Sequence, residues 1–187
     1  MLYTAIAEIY NIKENYDQAL TYLQQSLTIF HKCLPPDHFS IATTHANISI
    51  ASHWAALYEQ AARHYEKALD IALKCKDPAN LQFIVTTHDN VAQTYVKIRD
   101  FKMGLYHAEQ ALQIRLKHHS PMNNVDLAMN YWLCATILGA MIQPKKSLVH
   151  LEKANAIIQV TDHPKLIKLR PTIEQIRRLL NKQIYLK

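Results

Sequence analysis

The chain carries eleven histidines, the side chains most often used for proton transfer and metal binding near neutral pH. Their spacing offers no such site, because the sequence has no HExxH pattern and no serine or cysteine in a recognisable nucleophile context. His45 and His88 are separated by 43 residues, and each follows two threonines. The sequence therefore predicts that these two histidines pack between helices, and it predicts a protein that is not an enzyme.

Three cysteines, Cys33, Cys75 and Cys134, form no CxxC pair and no cysteine–histidine cluster of the kind that binds zinc. Separated cysteines in odd number are typical of free thiols in a reducing compartment. The first residues lack the basic start and apolar run of a signal peptide, and the apolar stretch 133–142 is too short to span a bilayer. We therefore expect a cytoplasmic protein with no metal site and no membrane insertion.

The two glycines of the sequence, Gly104 and Gly139, cannot form a glycine-rich loop that would bring backbone amides against a phosphate. So few glycines also argue against a turn-rich β protein. The apolar fraction of 49% and the charged fraction of 19% are ordinary for a globular chain. We expect no cofactor and no small-molecule substrate.

A five-residue pattern occurs twice, as TTHAN at 43–47 and as TTHDN at 86–90. Four prolines share the same interval of 43 residues, and they are Pro35, Pro78, Pro121 and Pro164. A fixed period of this size indicates a stacked array of repeated units rather than one globular core.

Each unit is predicted to contain two amphipathic helices, because apolar residues recur at steps of three and four, as in Ala19, Leu20, Leu23 and Leu27. Short links allow only antiparallel neighbours. The predicted pairs lie near 1–13 with 16–33, 39–55 with 58–75, 79–98 with 101–117, and 122–142 with 144–160. The predicted units are 1–34, 35–77, 78–120 and 121–162, followed by a basic amphipathic capping helix in 163–187.

The unit pattern of A-x-x-Y, an aromatic residue, A-L and then proline resembles the tetratricopeptide repeat. The first unit matches it at Ala7, Tyr10, Tyr16, Ala19, Leu20 and Pro35, and the third at Ala92, Tyr95, Phe101, Ala111 and Pro121. The length of 42–43 residues resembles the extended repeats of kinesin light chains. Ser49, Ser52 and Pro144 depart from the pattern. The resemblance implies an all-α, right-handed α-solenoid of four helix pairs over residues 1–162.

The same resemblance implies a protein–protein interaction scaffold or adaptor that binds a peptide segment of a partner along the first helices of the units. Asn47 and Asn90 match an asparagine that lines the peptide groove in kinesin-light-chain-like repeats. The alternative is that these asparagines only bridge neighbouring helices, and that Trp54 is packed rather than a partner anchor. The predicted peptide-binding residues are Thr43, Asn47, Ile50, Trp54, Thr86, Asn90, Gln93, Lys97 and Leu133.

The net charge of +6 is uneven, with a balance of −2 over residues 1–80 and +8 over residues 81–187. This pattern raises a second hypothesis, binding of nucleic acid or an anionic surface through the basic C-terminal half. Nucleic acid is disfavoured because residues 163–184 carry no aromatic side chain for base stacking. A third hypothesis is a regulatory region of a larger enzyme whose catalytic part lies outside this sequence.

The first predicted helix begins without a preceding repeat to cover Leu2, Tyr3 and Ile6. Uncovered apolar faces promote association. We therefore expect either self-association at this face or a continuation of the repeats beyond it.

Overall fold

A computed structural model of the protein describes residues 2–75, 77–118, 124–161 and 163–185. These residues form helices and turns and contain no strand, which confirms the predicted all-α fold class. None of the described helices is both long and apolar enough to cross a membrane. The helices are α1 Leu2–Ile12, α2 Tyr16–Cys33, α3 Phe39–Trp54, α4 Tyr58–Lys74, α5 Leu81–Ile98, α6 Phe101–Lys117, α7 Asn124–Ala140, α8 Pro144–Gln159, α9 Pro164–Ile167 and α10 Arg170–Tyr185, with a 3₁₀ turn at Pro78–Asn80.

The chain divides into two compact units, Met1–Arg99 and Asp100–Lys187. In the first unit α1 packs on α2, α2 on α3, α3 on α4, and α4 on α5. Its core gathers Ala19, Leu23 and Leu27 of α2 with Ile41 and Ile48 of α3. In the second unit α6 packs on α7, α7 on α8, and α8 on α10. The capping segment 163–187 was predicted as one helix, whereas the structure has two helices there, α9 and α10.

Small residues lie where the second helix approaches the first in the pairs α1–α2, α3–α4 and α7–α8. Ala19, Ala61 and Ser147 are buried there, and Gly104 is buried on α6. The Ser147 hydroxyl donates a hydrogen bond to the Ala135 carbonyl oxygen at 2.7 Å, so its polar atom is satisfied inside the α7–α8 contact.

The turn inside each helix pair uses a residue in the left-handed backbone region. These residues are Glu14, Ala56, Arg99 and Ile142, with φ between 57° and 67°. Left-handed backbone is disfavoured for residues with a Cβ atom by roughly 1–2 kcal/mol. The same turn thus recurs in each pair without a glycine to relieve it.

A contact between two rings joins the first and second helices of three pairs. Tyr3 stacks on Tyr22 with ring centroids 6.1 Å apart, and His45 lies 5.0 Å from His64. In the second compact unit Tyr131 lies 5.8 Å from His150. These positions follow the repeat interval, and the prediction that His45 and His88 are packed between helices agrees with their burial.

Candidate binding face

The predicted stripe on α3 consists of Thr43, Asn47, Ile50 and Trp54, spaced by four, three and four residues along one side of the helix. The first three side chains are half-buried, and Trp54 is 66% exposed. The exposure of Trp54 excludes the alternative that it is a packed residue within the first compact unit. An exposed indole of this size is the kind of side chain that anchors a partner.

The predicted stripe on α5 has the same spacing and consists of Thr86, Asn90, Gln93 and Lys97. Asn90 is half-buried, and the other three are exposed. Two contacts hold α3 beside α5. Near the starts of the two helices the Phe39 and Phe83 rings meet edge-on at 5.0 Å. Near their ends His53 Nδ1 lies 2.9 Å from Thr94 Oγ1. The eight residues of the two stripes are called the α3–α5 face below.

A pocket of about 220 Å³ opens on the α3–α5 face. Its lining combines apolar surface with carboxamide, imidazole and phenol groups, and all of it belongs to the first compact unit. The lining residues are Ile50, His53, Trp54, Tyr65, Asn90 and Gln93. Four of them are predicted site residues, whereas Thr43, Asn47, Thr86 and Lys97 lie outside the lining.

Asn90 is tied to the second helix of its neighbouring pair by a hydrogen bond between its carboxamide and the Tyr65 hydroxyl. Tyr65 is buried on α4, and that burial raises the pKa of its phenol while the bond to Asn90 opposes the rise. Asn90 therefore does bridge two helices, as the alternative interpretation supposed. A carboxamide has two donors and two acceptor lone pairs, so one such bond leaves capacity for a ligand.

Asn47 lies in a different environment, although it occupies the equivalent position on α3. When Tyr16 is aligned with Tyr58, the counterpart of Tyr65 in the first pair is Leu23, which has no hydroxyl. The helix-bridging bond seen at Asn90 therefore has no equivalent at Asn47.

His53 lies between Trp54 and α5 at the edge of the pocket. The Thr94 hydroxyl donates its proton to the Asn90 carbonyl oxygen at 2.8 Å, so its oxygen accepts from His53. His53 is then protonated on Nδ1, and Nε2 remains as an acceptor. Burial and the nearby charge of Lys97 both lower the pKa of His53, which keeps the ring neutral at neutral pH.

Leu133, the ninth predicted site residue, lies on α7 in the second compact unit and is half-buried. Its neighbours one turn away on the same helix, Met129 and Thr136, are exposed. The corresponding positions on α1, Ala5, Glu8 and Ile12, are exposed as well.

Sequence reasoning missed two members of the pocket, His53 and Tyr65. His53 follows Ile50 by three residues, so helical spacing alone could have placed it beside the stripe. Tyr65 gave no comparable signal, because it belongs to the buried side of α4.

Another group of imidazoles lies away from this face. His45 Nδ1 and His64 Nδ1 are 2.9 Å apart, and the His31 ring approaches His45 at 6.4 Å. Within the described ranges, no three or more histidine, cysteine, aspartate or glutamate residues are arranged to hold a metal ion. The His45–His64 contact is a hydrogen bond between two packed rings.

Comparison with a family model matches residues 1–74 to the tetratricopeptide repeat. No curated protein sequence matches the chain. Among solved structures, BtubC (BKLC) from P. vanneervenii is similar over 87% of this chain, with a TM-score of 0.76 and 20% identity. This chain spans 65% of the length of that BtubC chain.

A Podosopora anserina protein described as a kinesin light chain with nearly identical TPR-like repeats is similar over 97% of this chain and 92% of its own, with a TM-score of 0.72 and 17% identity. The apo form of RapI is similar over 84% of this chain and 54% of its own, with a TM-score of 0.71 and 16% identity. The resemblance is therefore confirmed: residues 1–74 match the tetratricopeptide repeat model, and the chain has the fold of kinesin-light-chain-like repeat structures.

Proposed function

We propose that this protein is a non-catalytic interaction scaffold whose α3–α5 face binds a peptide segment of a partner protein. The observation that carries the proposal is the pocket lined by the exposed Trp54, where the Asn90 and Gln93 carboxamides of the α5 stripe converge with apolar surface of α3. Concave sites lined by apolar side chains with a few convergent polar groups are typical of ligand binding. The tetratricopeptide fold fits a protein-interaction role.

The proposed ligand is an extended or short helical segment that crosses Asn47 and Asn90. Carboxamides pair with peptide N–H and C=O groups whatever the ligand's side chains, so they supply affinity without strict sequence selection. Each such bond contributes about 0.5–1.5 kcal/mol net, which is too little to hold a partner alone. Apolar contacts with Ile50 and Trp54 must supply the rest.

Two groups on this face would select among peptides. Lys97 is exposed at the end of the α5 stripe and would attract a carboxylate on the ligand. His53, protonated on Nδ1, offers Nε2 as an acceptor for a ligand N–H or O–H group. We place the interaction in the cytoplasm, the reducing compartment that the separated, unpaired cysteines predict.

Binding of nucleic acid through the basic C-terminal half is the less favoured function. Part of its positive charge is already paired, since Arg177 lies 2.7 Å from Glu152 and Arg178 lies 3.1 Å from Glu174. These half-exposed ion pairs reduce the charge available to a phosphate backbone. A regulatory role beside a catalytic segment stays compatible with peptide binding by the same face.

The experiment combines capture from the protein's own cell extract with mapping of the captured partner to a synthetic peptide, followed by calorimetric titration. We expect the double change Asn47→Ala with Asn90→Ala to weaken peptide binding roughly ten-fold or more, and Trp54→Ala to weaken it at least as much. Circular dichroism checks that each variant keeps its helicity. The melting temperature of the double variant should fall no further than the loss of the Asn90–Tyr65 hydrogen bond explains, and Tyr65→Phe measures that loss.

Two matched controls locate the effect. Gln25→Ala removes an exposed carboxamide from α2, and Leu73→Ala removes an exposed apolar side chain from α4. Both controls should leave the affinity unchanged. If the α3–α5 variants bind as the wild type does, or if the controls weaken binding equally, the partner occupies another surface and the proposal is wrong.

A further inference from the structure

The helix α10 occupies the place that the repeat gives to the first helix of a unit. Ile173 and Leu180 lie 43 residues after Asn130 and Ile137 of α7, and all four side chains are buried. α10 packs on α8, as α5 packs on α4 in the first compact unit. The second compact unit therefore has two first helices, α7 and α10, whose outward stripes correspond to those of α3 and α5.

The outward stripes of α7 and α10 are more apolar than the α3–α5 face. Leu133 and Ile176 stand where α3 and α5 have Asn47 and Asn90. Leu179 is 53% exposed, none of the eight residues is charged, and none is buried. The α7–α10 face consists of Met129, Leu133, Thr136, Ala140, Thr172, Ile176, Leu179 and Gln183.

The position of this face in the repeat keeps it open to solvent. The equivalent stripe on α3 is half-buried or exposed, although α3 packs against α2 on one side and α4 on the other. Neighbouring helices therefore do not cover this register of a first helix. An apolar stripe that the fold leaves in water is suited to contact with a partner.

A basic pocket of about 540 Å³ lies at one end of the α7–α10 face, between the start of α8 and the end of α10. Lys145 and Lys146 are exposed, and neither forms an ion pair with a described residue. No carboxylate occurs among the described lining residues, which are Gln143, Pro144, Lys145, Lys146, Gln183 and Ile184. Two ammonium groups beside apolar surface favour a ligand that carries anionic and apolar groups together.

The equivalent place in the first compact unit also has a pocket, but its charge is opposite. When Tyr16 is aligned with Pro144, the counterpart of Lys145 is Asp17. This acidic pocket, of about 490 Å³, is lined by Glu14, Asn15, Tyr16, Asp17 and Ala55. Because it is open in the middle of the chain, a cavity at this place is a property of the repeat. The side chains then decide its charge, and in the second compact unit they make it basic.

We propose that the α7–α10 face and its basic pocket bind a protein segment in which large apolar side chains adjoin acidic residues. Leu133, Ile176 and Leu179 contact the apolar side chains, while Lys145 and Lys146 pair with the acidic ones. Such a segment is selected by its side chains, unlike one held through the carboxamides of the α3–α5 face. The two faces are separate binding sites, so either can fail without the other.

Selection from a random peptide library displayed on phage, with the full 187-residue chain as target, tests the proposal. Each selected peptide is then titrated against two variants, Asn47→Ala with Asn90→Ala and Lys145→Glu with Lys146→Glu. We expect a class of peptides rich in acidic and large apolar residues that only the lysine variant weakens. The proposal is overturned if no peptide behaves in this way, or if the peptides that do so lack acidic residues.

The lysine variant should weaken this class of peptides at least about ten-fold, because attraction becomes repulsion. Lys165→Glu with Lys168→Glu is the matched control, since both lysines are exposed and lie beside α9, beyond the other end of α8. This control makes the same change of net charge and should leave the affinity unchanged. An equal loss in the two variants would mean that net charge alone attracts the peptides, which contradicts a site at the pocket.

Leu179→Asn tests the apolar part of the site and should weaken the same peptides about five-fold or more. Leu116→Asn is its control, because Leu116 is 49% exposed on α6, and it should have no effect. Wild-type affinity in Leu179→Asn would remove the α7–α10 face from the site.

A charge exchange separates direct contact from an indirect effect on the fold. A selected peptide whose acidic residues are changed to lysine should regain affinity for the Lys145→Glu, Lys146→Glu variant. Without this recovery, the lysines do not contact the peptide and the proposal is wrong. Phosphatidylserine vesicles are the competing anionic probe. If the wild type binds them through the two lysines and selects no acidic peptide, the pocket serves a membrane surface instead.

Discussion

Asn90 bridges α4 and α5 through its bond to Tyr65, and it is also a proposed peptide contact. A single substitution at Tyr65 separates these two roles. The Tyr65 hydroxyl is held by the Asn90 carboxamide, whereas the Tyr65 ring is buried in α4 packing. We expect Tyr65→Phe to cost about 0.5–1.5 kcal/mol of stability, because the buried hydrogen bond is lost while the ring is kept. Denaturant titration measures this cost.

Peptide affinity is the second measurement on the Tyr65→Phe variant. We expect it to fall less than three-fold, because the Asn90 amide stays available to the ligand. If Tyr65→Phe weakens peptide binding as strongly as Asn90→Ala does, then Asn90 acts only by bridging α4 and α5.

The His45–His64 hydrogen bond should make the fold sensitive to acid. Burial, with the nearby charges of His64, Lys67 and His31, lowers the pKa of His45 to about 4. Burial, with Lys67 and Arg63, also lowers the pKa of His64. The unfolded chain therefore binds a proton near pH 6.5, where the folded chain does not, and stability falls as the pH falls from about 6.5 toward 4.

We expect about 2 kcal/mol less stability at pH 5 than at pH 7.5 from His45 alone, as measured by urea titration at the two pH values. The double change His45→Gln with His64→Gln removes both titrating groups and should flatten this dependence. His118→Gln, at an exposed position, should leave it unchanged. An equal loss of stability in the wild type and in the double variant would place the acid-sensitive groups elsewhere.

Among the elements, the turn between α7 and α8 combines strain with exposure. Ile142 has φ 57° and is 80% exposed, so this β-branched residue has disfavoured backbone and little burial to compensate. We expect Ile142→Gly to raise the free energy of unfolding by about 0.5–1 kcal/mol, net of the glycine's entropy. Val160→Gly is the control, because Val160 is also exposed but has φ −96°. Val160→Gly should lower the free energy of unfolding. If Ile142→Gly lowers it as well, the left-handed turn is not strained.

Helix positions were predictable from the sequence, whereas contacts between helices were not. The spacing of Ala19, Leu23 and Leu27 predicts α2, because helical periodicity is carried by neighbouring residues. The bond between Asn90 and Tyr65 depends on how α4 and α5 rotate against each other, which no local pattern records. The left-handed turns at Ala56 and Ile142 were equally hidden, because glycine, the usual signal for that backbone, is absent there.

For the α3–α5 face, too, some features were predictable from the sequence and others were not. Equivalent spacing in two repeats was enough to place Asn47, Trp54 and Gln93 on the outer side of their helices. Helical spacing could also have placed His53 beside this face, but the pocket itself could not be predicted, because Tyr65 is joined to it by the contact between α4 and α5 at Asn90. The repeat spacing predicts the side of the helix on which a residue lies, whereas its contacts depend on how the helices pack.

For the whole molecule, the division into Met1–Arg99 and Asp100–Lys187 has a thermodynamic consequence. In repeat arrays the free energy of unfolding is approximately the sum of the intrinsic stability of each repeat and the interface energy between neighbouring repeats. A substitution that destabilises one unit therefore need not destabilise the other equally. The two tryptophans allow this to be measured, since Trp54 lies in the first compact unit and Trp132 in the second. Trp132→Phe leaves a reporter of the first unit, and Trp54→Phe leaves a reporter of the second.

We expect Leu23→Ala to shift the denaturation midpoint seen by Trp54 more than the midpoint seen by Trp132. Leu23 is fully buried in the core of the first unit, and truncation of such a leucine costs about 2–5 kcal/mol. Leu151→Ala, at a buried leucine of α8 in the second unit, should produce the opposite order. Equal shifts at both tryptophans in both variants would mean that the chain unfolds as one cooperative body. In that case the interface energy between neighbouring repeats exceeds the intrinsic stability of either unit.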